Sequence, residues 1–573
     1  MPNYPSPGVY VEEAGPSGRA IVGVATSTAA FIGPTRSGPV GLASPPLYSL
    51  AEFEHRYGGP QALVLSDVRD PAYRLHFMAH AVRAYFANGG NCLVVLRTAR
   101  NAAAAAGVLL AARTQAGRAT LRARHVGAAG NGPVRLRVVG VPVRAIDLSA
   151  APVGSLISMD RDGVETVYAG SGAVWLDAGG QSLALSDLGA TAQLLTLELQ
   201  ASAADGSAVQ WSRLGFAPEH PRWLGSVLAP QSDAAPLWAD IGAQVSAYAL
   251  LAAVRALPIL AAAPGDGVAW HRLLLQRGRD GQAPVAGTPR SRGSYAAVLA
   301  ALQAVPDVST VATPGSSAYP DRAAIQAALL AHVEQPQRWQ LAVLDSAPQL
   351  SLGGVQQQRA GIDSRHAALY YPWLVVADPL APAAAPREIS VPPCGHVAGL
   401  YARSDATQGV HKAATNLAVA GALRCEYDID QTEQDLLNPL GVNCLRSFAG
   451  RGLRVWGARL ASSDPEWKYV PIRRLLDYLQ ASIVRGTAWA VFEPNAEPLW
   501  ARVRQLVSDF LLQTWRDGAL LGSRPEEAFF VRCDRTTMTQ AELDAGQLVC
   551  LVGVAVLQPA EFMLCRIGQA TLK

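Results

Sequence analysis

Three residues that lie close together in the sequence, Asp363, Ser364 and His366, are of the types that form a hydrolase triad. In such a triad the serine attacks a carbonyl carbon, the histidine takes the serine proton, and the carboxylate orients the histidine. Triad members normally converge from separate elements of a fold, so the closeness of these three argues against a catalytic role. The sequence also lacks a Gly-x-Ser-x-Gly elbow and a His-Glu-x-x-His motif.

Other groups that could do chemistry have simpler structural interpretations. The glycine-rich stretch Gly127–Gly132 lacks the Lys-Ser/Thr pair of a phosphate-binding loop and opens no helix, so it predicts a turn. The carboxylate pairs Glu433/Asp435 and Glu526/Glu527 are typical of solvated helix starts, because paired acids mark acid–base sites only inside a pocket.

The cysteines give no sign of a metal site. All seven are scattered, with no Cys-x-x-Cys pair and no histidine at metal-binding spacing, which predicts reduced structural thiols. We therefore predict no catalytic residues, no metal ligands and no cofactor.

The composition is that of a large protein with extensive cores. At 573 residues, 50% of them hydrophobic, the chain is expected to form several domains. Only 16% of the residues are charged, which favours a protein packed against copies of itself, although an alanine-rich genome composition explains the figure equally well. The formal net charge of +3 gives no case for nucleic-acid binding.

We also expect no signal peptide and no membrane insertion. The N-terminus lacks a basic segment followed by an apolar one. The most apolar stretch, 247–264, is interrupted by Arg255 and Pro258 and is too short for a membrane span.

Both ends of the chain predict short isolated strands. The first 20 residues contain prolines at 2, 5, 7 and 16 and glycines at 8, 15 and 18, which leave Val9–Glu13 as the one run that can extend. At the other end, Phe562–Ile567 is a second terminal strand, set off by Pro559.

The middle of the chain alternates between helical and strand patterns, which predicts a parallel sheet covered on both faces. The predicted helices are Met78–Asn88, Pro236–Arg255, Tyr295–Gln303 and Asp321–Val333, and the predicted strands are Cys92–Leu96, Pro258–Ala263, Val308–Ala312, Trp339–Leu344 and Leu374–Val376. Residues 101–215 differ, because short β-like segments there are separated by Gly, Ser and Asp, and we interpret them as an inserted mostly-β domain.

The last hundred residues repeat the alternation. Helices are predicted from Pro471 to Gly486 and over Leu499–Arg516, and a capping box joins Thr539 to Glu542. The predicted strands are Trp489–Phe492, Ala528–Val531 and Leu548–Val556.

Several blocks in this order resemble the sheath proteins of contractile phage tails and related contractile injection particles. The blocks are Pro7–Glu13, Ala81–Gly90, Gly395–Arg403, Leu437–Asn443, Asp464–Val470 with Arg473 and Arg474, Val491–Asn495, Pro525–Asp534 and Thr536–Gln540. The resemblance covers about 1–100 and 216–573, and it is weak over 101–215. The chain departs from the family pattern at Cys394 and His411, where a small hydroxyl residue and a tryptophan are expected.

The resemblance implies an α/β multidomain fold whose middle domain has a subtilisin-like chain trace without protease function. We accordingly divide the chain into an N-terminal arm (1–27), an α/β core (28–100 and 216–390), the inserted mostly-β outer domain (101–215), a C-terminal α+β domain (391–557) and a C-terminal arm (558–573).

For function, the resemblance implies a structural subunit that forms six-membered rings stacked helically around an inner tube, with no enzymatic activity. Each arm would add a strand to the C-terminal domain of a neighbouring copy. The expected exchange residues are Val9, Tyr10, Val11, Glu12, Phe562, Met563, Leu564, Arg566 and Ile567, and the candidate tube contacts are Lys468, Arg473 and Arg474.

The implied partners are other copies of the chain, the inner tube protein, the baseplate and the tail terminator or cap proteins. Neither nucleic acid nor a membrane is an expected partner. Assembly would take place in the bacterial cytoplasm, and the product would be a phage virion tail or a contractile injection particle. The hypothesis for its action is contraction from a metastable extended state, which needs no nucleotide.

Two other functions stay open at the level of sequence. A subtilisin-like hydrolase predicts that a fluorophosphonate probe labels a serine. A soluble binding or adhesion module predicts a monomer on gel filtration at every concentration.

Overall fold

A computed structural model of the chain describes residues 20–561, apart from gaps at 113, 145–147, 149, 162, 171–173, 184–191, 203–204, 231–235, 261–267 and 560. The predicted terminal strands, Val9–Glu13 and Phe562–Ile567, lie outside the described residues.

A seven-stranded sheet forms the centre of the fold. Its first six strands run parallel and the last is antiparallel. In spatial order the strands are Cys92–Thr98, Thr28–Pro34, Thr310–Ala312, Leu341–Asp345, Ala367–Tyr371, Val442–Phe448 and Gly452–Trp456. Every residue of Thr28–Pro34 is buried, as expected for a strand with helices on both faces. The parallel sheet predicted from the alternating pattern is therefore confirmed.

Two hydrophobic cores lie on opposite faces of this sheet, as the alternation along its second strand shows. Ala29 and Phe31 belong to one core, and Ala30 and Ile32 to the other. Helices Leu50–Tyr57, Phe77–Ala87 and Cys394–Gln408 cover the first core. Helices Tyr295–Leu302, Arg322–Val333 and Leu352–Ala360 cover the second.

The inserted β-rich domain is larger than predicted. One of its sheets contains the strands Gly132–Pro142, Leu156–Arg161, Val164–Gly170, Trp175–Asp177, Ser182–Leu183, Gln193–Ser202, Ala208–Leu214 and His271–Leu275. The other contains Ala106–Leu110, Ala119–Ala123 and Leu237–Ile241. Since His271–Leu275 pairs with Gly132–Pro142, the insert ends beyond Leu275 and not at 215.

One predicted element in that region was wrong, and a second lies partly outside the described residues. Residues of the predicted helix Pro236–Arg255 split into a strand, Leu237–Ile241, and a helix, Ala247–Arg255, because Ser246 caps the helix by accepting a hydrogen bond from Ala249 N at 3.2 Å. The predicted strand Pro258–Ala263 is reduced to a single bridge from Ile259 to His271 among the described residues.

A small antiparallel sheet flanks the core, with strands Leu374–Ala377, Glu388–Val391 and Arg424–Cys425. The predicted strand at Leu374 is thus present but does not join the parallel sheet. Short helices at Leu224–Val227 and Gln431–Leu437 complete these regions.

The C-terminal domain begins after the predicted boundary at 391, because Cys394–Gln408 covers the first core and Val442–Phe448 and Gly452–Trp456 belong to the central sheet. It packs two long helices, Val470–Thr487 and Glu497–Arg516, with the antiparallel strands Phe529–Arg532 and Leu551–Val554. Short helices lie at Pro525–Ala528 and Gln540–Asp544, and the Thr539 capping box is confirmed. The predicted strand Trp489–Phe492 was wrong. Residues Ala488–Ala490 form a helical turn, and Phe492 has a left-handed φ of 71°, which breaks an extended run.

Close contact between two core helices depends on glycines. A Cβ on Gly395 would lie 2.4 Å from the Ala81 carbonyl oxygen, and one on Gly399 would lie 2.5 Å from that of Tyr85. Both carbonyls belong to helix Phe77–Ala87. The glycines therefore let Cys394–Gln408 lie directly on that helix.

Substitution of Gly399 by alanine should push these helices apart and destabilise the subunit by about 2 kcal/mol. Gly353 in helix Leu352–Ala360 is the matched control, because a Cβ there meets nothing within 4 Å. The Gly353→Ala variant should be neutral or up to about 1 kcal/mol more stable. Thermal unfolding of the purified variants measures both, and equal melting temperatures would contradict the packing argument.

Candidate assembly surfaces

The residues of the triad type do not form a triad. Both Asp363 carboxylate oxygens accept hydrogen bonds from Ser463, at 2.8 Å from its N–H and 2.6 Å from its hydroxyl. Ser364 Oγ accepts from the backbone N–H of His366 at 3.2 Å and has no recorded bond to the imidazole. Burial lowers the pKa of His366 to about 4. The prediction against a catalytic triad at these positions agrees with this geometry.

A buried carboxylic acid and thiol lie at the end of the fourth sheet strand. Asp345 Oδ1 accepts a 2.8 Å hydrogen bond from the backbone N–H of Cys394, the first residue of helix Cys394–Gln408. Burial raises the pKa of Asp345 to about 7, and burial together with the Asp345 charge raises the pKa of Cys394 well above its usual value. Cys394 is fully buried, so a reagent in solution does not reach this thiol.

Sequence patterns did not single out Asp345. Its only signal is an acidic residue at the end of an apolar strand, in the run Leu341–Asp345, which is common at the carboxyl ends of parallel strands. Cys394, which departs from the family pattern, is fully buried beside it, and its backbone N–H makes the bond.

Asp345 should make the stability of the subunit depend on pH. Its pKa in the folded state, about 7, lies above the usual value of an aspartic acid, 3.8. The folded state therefore binds an extra proton, and stability falls as pH rises from about 4 to 7. Asp345→Asn should remove this slope and be more stable than the parent at pH 8 by about 2–4 kcal/mol. Melting temperatures between pH 4 and 8 test this, with exposed Asp544→Asn as control, and an unchanged slope in Asp345→Asn would refute it.

The root of the N-terminal arm is fixed to helix Val470–Thr487. The backbone N–H of Val24 donates to Ser482 Oγ at 3.1 Å, and Arg474 Nη2 donates to the Thr26 carbonyl at 3.1 Å. Gly23 lies against the ring of Tyr478, where a Cβ would come within 2.2 Å of the hydroxyl. We call residues 21–26 the N-terminal root.

Arg474 connects this root to the core. Its guanidinium forms two hydrogen bonds with the Asp405 carboxylate, at 2.9 and 2.6 Å, and lies 4.7 Å from the ring centre of Tyr401. Burial acts to lower the pKa of Arg474, but Asp405 together with Tyr401 and Tyr370 raises it above its usual value. The ion pair therefore joins the N-terminal root, helix Val470–Thr487 and helix Cys394–Gln408.

The three candidate tube contacts have different environments. Arg473 and Arg474 are only 4% and 5% exposed. Arg473 pairs with Asp477 at 2.6 Å and lies 4.3 Å from the ring centre of Trp467. Neither guanidinium is available to a second protein in this conformation, because adjacent helical residues here both point into the subunit. Lys468 is partly exposed and stays a prediction as a tube contact.

The root of the C-terminal arm is held by a second buried ion pair. Arg459 Nε donates to Glu561 Oε1 at 2.8 Å, and Tyr469 donates to the same carboxylate at 3.4 Å. Although burial would raise the pKa of Glu561, its pairing with Arg459 lowers it. The backbone of Arg459 is fixed in turn by the Asn443 side chain, through bonds of 2.7 and 2.8 Å.

The strands Phe529–Arg532 and Leu551–Val554 form what we call the C-terminal sheet. Phe529, Val531 and Val554 pack on the domain core, whereas Phe530 is 52% exposed and its ring lies across Gly553. Among the described residues no further strand pairs with Phe529–Arg532 or Leu551–Val554. Just past the second strand, Leu520 forms a bridge with Val556, and the Leu521 N–H donates to the Ala555 carbonyl at 2.9 Å. The outer edges of the two strands therefore carry backbone groups that can accept another strand.

Neither a metal site nor a membrane-spanning element is found in the described part of the chain. No group of three or more His, Cys, Asp or Glu residues there could hold a metal ion. None of the helices described combines the length and the apolar character needed to cross a membrane.

Comparison with known families identifies the chain. Residues 290–459 match the phage tail sheath protein central domain, and residues 462–569 match the phage tail sheath C-terminal domain. The chain belongs to the tail sheath protein family. The C-terminal domain and the root of the C-terminal arm lie within the matched residues, and the N-terminal root contacts them through helix Val470–Thr487.

Curated relatives are similar over part of the chain. A putative prophage major tail sheath protein of Pseudomonas aeruginosa (strain UCBPP-PA14) is 25% identical over 176 residues, which is 30% of this chain and 44% of that protein. The tail sheath protein of Burkholderia phage BcepMu is 29% identical over 206 residues, 34% of this chain and 40% of that protein. The matched segments thus span less than half the length of these relatives.

A solved structure matches almost the whole fold. The anti-feeding prophage helical sheath in its contracted state aligns with 99% of this chain and 100% of its own, at a TM-score of 0.52 and 20% identity. This similarity supports a mixed α/β multidomain fold of the sheath type.

Removal of the Asp405 carboxylate should leave the Arg474 charge buried without a partner. Asp405→Asn is therefore expected to lower the stability of the subunit by about 3–5 kcal/mol and to expose the N-terminal root to protease. Glu388→Gln is the control, since Glu388 and Arg424 are 52% and 55% exposed and such pairs contribute at most about 1 kcal/mol. Chemical unfolding and limited proteolysis measure the two effects, and similar losses in both variants would contradict the anchoring role.

Proposed function

We propose that this chain is the structural subunit of a contractile sheath, in which six copies form a ring and the rings stack helically around an inner tube. Membership of the tail sheath family supports the subunit class. The observation that carries the mode of assembly is the C-terminal sheet, in which no third strand pairs with Phe529–Arg532 or Leu551–Val554 among the described residues.

The arms supply the strands that would fill these edges. Val9–Glu12 and Phe562–Ile567 lie outside the described residues. The first precedes the N-terminal root, which Arg474 anchors, and the second follows Glu561, which Arg459 anchors. From Glu12 to Ile21 an extended chain spans about 30 Å, which is enough to leave the subunit and enter a neighbour. The anchored root fixes where the arm departs.

Strand addition suits a sheath that changes length. The links are mostly backbone hydrogen bonds, which tolerate rearrangement of the side chains around them as subunits rotate. Four or five such bonds at a net of about 1 kcal/mol each give only a few kcal/mol per arm. Repeated through every ring, these links hold the tube together while the globular parts move.

Contraction in this proposal runs from a metastable extended state, released at the baseplate, to a shorter state with better-buried interfaces. No nucleotide is consumed, because the free energy is stored during assembly. The other partners are the inner tube protein, to which Lys468 is the remaining candidate contact, and the tail terminator or cap proteins. Calorimetry of isolated extended particles should show that contraction releases free energy without ATP, and a requirement for ATP would refute the mechanism.

The core is proposed to follow a subtilisin-like chain trace that has no protease function. The mostly parallel seven-stranded sheet supports the trace. The separate bonding of Asp363, Ser364 and His366 supports the lack of protease function. The particle would be assembled in the bacterial cytoplasm and act in a phage virion tail or an injection particle.

Proline substitutions in the N-terminal arm test strand exchange. In an extended strand the N–H groups of residues 9 and 11 point to one edge and those of 10 and 12 to the other. Val9→Pro with Val11→Pro, or Tyr10→Pro with Glu12→Pro, should therefore remove the hydrogen bonds of one edge each. At least one pair, and deletion of residues 1–14, should give folded subunits that cannot form contractile tubes.

Negative-stain microscopy of the chain expressed alone provides the measurement, with Asn3→Pro outside the predicted strand as control. Hollow tubes or rings from the parent and from Asn3→Pro are expected. Normal tubes from both proline pairs would exclude strand exchange by this segment. Persistent monomers from the parent would favour a binding module, and labelling of a serine by a fluorophosphonate would favour a hydrolase.

A further inference from the structure

Two cysteines face each other at the end of the C-terminal sheet. In the ladder register Arg532 pairs with Leu551, so Cys533 and Cys550 occupy the next opposing positions. Directly opposed residues of an antiparallel pair have Cα atoms about 4.5–5.5 Å apart, which lies within the range of about 4.4–6.8 Å that a disulfide bridges. The two thiols are also close enough for each to shift the pKa of the other.

The two thiols differ in access. Cys533 is fully buried, whereas Cys550 is partly exposed. Burial raises the pKa of Cys533 to about 12. Burial also raises the pKa of Cys550, but the Cys533 thiol and the charge of Arg504 act to lower it. Arg504 is held at this place by its hydrogen bond to the Cys533 carbonyl, at 2.9 Å. Cys550 is therefore the thiol that a reagent in solution can reach first.

We propose that Cys533 and Cys550 are a redox site, at which a small-molecule disulfide oxidises the pair to an intrasubunit disulfide bond. The Cys550 sulfur attacks one sulfur of the reagent, loses its proton, forms a mixed disulfide and releases one small thiol. The Cys533 sulfur then attacks the Cys550 sulfur, loses its proton and releases the second small thiol. Two protein thiols are oxidised by two electrons, and the reagent disulfide is reduced to two thiols.

Three other described cysteines have a different environment. Cys394, Cys425 and Cys444 are at most 2% exposed in the α/β core. Cys425 Sγ donates instead to the Leu445 carbonyl at 3.3 Å. Burial alone protects these thiols from a reagent in solution.

The disulfide would cross-link the two strands of the C-terminal sheet, which we propose to receive the arms. An effect of the disulfide on arm binding rests on the proposed function. The disulfide loop encloses residues 534–549, including helix Gln540–Asp544. A two-stranded sheet is only marginally stable alone, and a cross-link restricts the unfolded chain. A subunit assembled with reduced thiols would thus gain a stiffer C-terminal sheet once its particle enters an oxidising environment.

Peptide mapping of the purified full chain tests the site independently of assembly. After incubation with oxidised glutathione, a Cys533–Cys550 cross-linked peptide is expected from the parent and from Cys92→Ser, and it should be absent from Cys533→Ser and Cys550→Ser. The unfolding transition of the C-terminal domain should rise by about 5–10 °C and return on reduction. Separate glutathione adducts, free thiols, or a cross-link from either cysteine to Cys565 would overturn the proposal.

A second measurement separates the redox site from its role in assembly. Tubes of the parent should resist urea at higher concentrations after oxidation than before, and tubes of Cys550→Ser should not change. If the cross-link forms in the subunit but oxidation leaves tube dissociation unchanged, the redox site stands and its proposed effect on arm binding is wrong. If the parent forms no tubes at all, the peptide map alone decides the redox site.

Discussion

The buried ion pair between Arg474 and Asp405 is the interaction on which the connection between the parts of this subunit depends. It joins a helix of the C-terminal domain to a helix that covers the parallel sheet, and the same guanidinium holds the Thr26 carbonyl. Both side chains are only 4% exposed, so removing them from water costs much free energy. The intact pair therefore adds little net stability, whereas removing one partner leaves a buried charge uncompensated and destabilises the fold strongly. Such a pair therefore fixes one geometry, and here it fixes the departure point of the N-terminal arm.

The parallel sheet and the C-terminal sheet differ in how many backbone hydrogen-bonding groups they leave without a partner. The parallel sheet, with buried strands and helices on both faces, leaves little free backbone to offer a neighbour. The C-terminal sheet has the opposite character, because only one face packs on its domain and no third strand pairs with it among the described residues. Strand donation by the arms links these facts to the proposed assembly, and the Cys533–Cys550 pair lies at the end of the same sheet.

Much of the fold was predictable because its signals were local. Helix Met78–Asn88 had helical spacing and a glycine stop, and the Thr539 capping box set a helix start that the structure confirms. Leu237–Ile241 was predicted as helix because a short apolar run fits either period, and its strand form depends on pairing with Ala119–Ala123, far away in the sequence. Trp489–Phe492 was wrong for a similar reason, since Trp489 packs on the domain core from a helical turn and Phe492 is fully exposed.

The candidate sites were predictable to a smaller extent. The closeness of Asp363, Ser364 and His366 in the sequence argued against a triad, in agreement with their separate hydrogen bonds. The burial of Arg473 and Arg474 could not be predicted from their helix, because Asp405 and Trp467 come from elsewhere in the fold. Asp345 was missed because its perturbed pKa comes from burial, and the facing of Cys533 and Cys550 depends on strand register.

Hydrogen exchange of the C-terminal sheet tests the central claim most directly. The backbone amides of Phe529–Arg532 and Leu551–Val554 would be compared between isolated subunits and assembled tubes, with tubes formed from mixed parent and arm-deleted subunits as a third sample. If neighbouring arms add strands to this sheet, outward-facing amides should become strongly protected in tubes and less so as the deleted subunit is added. Equal exchange in subunits and tubes would contradict strand donation as the basis of assembly.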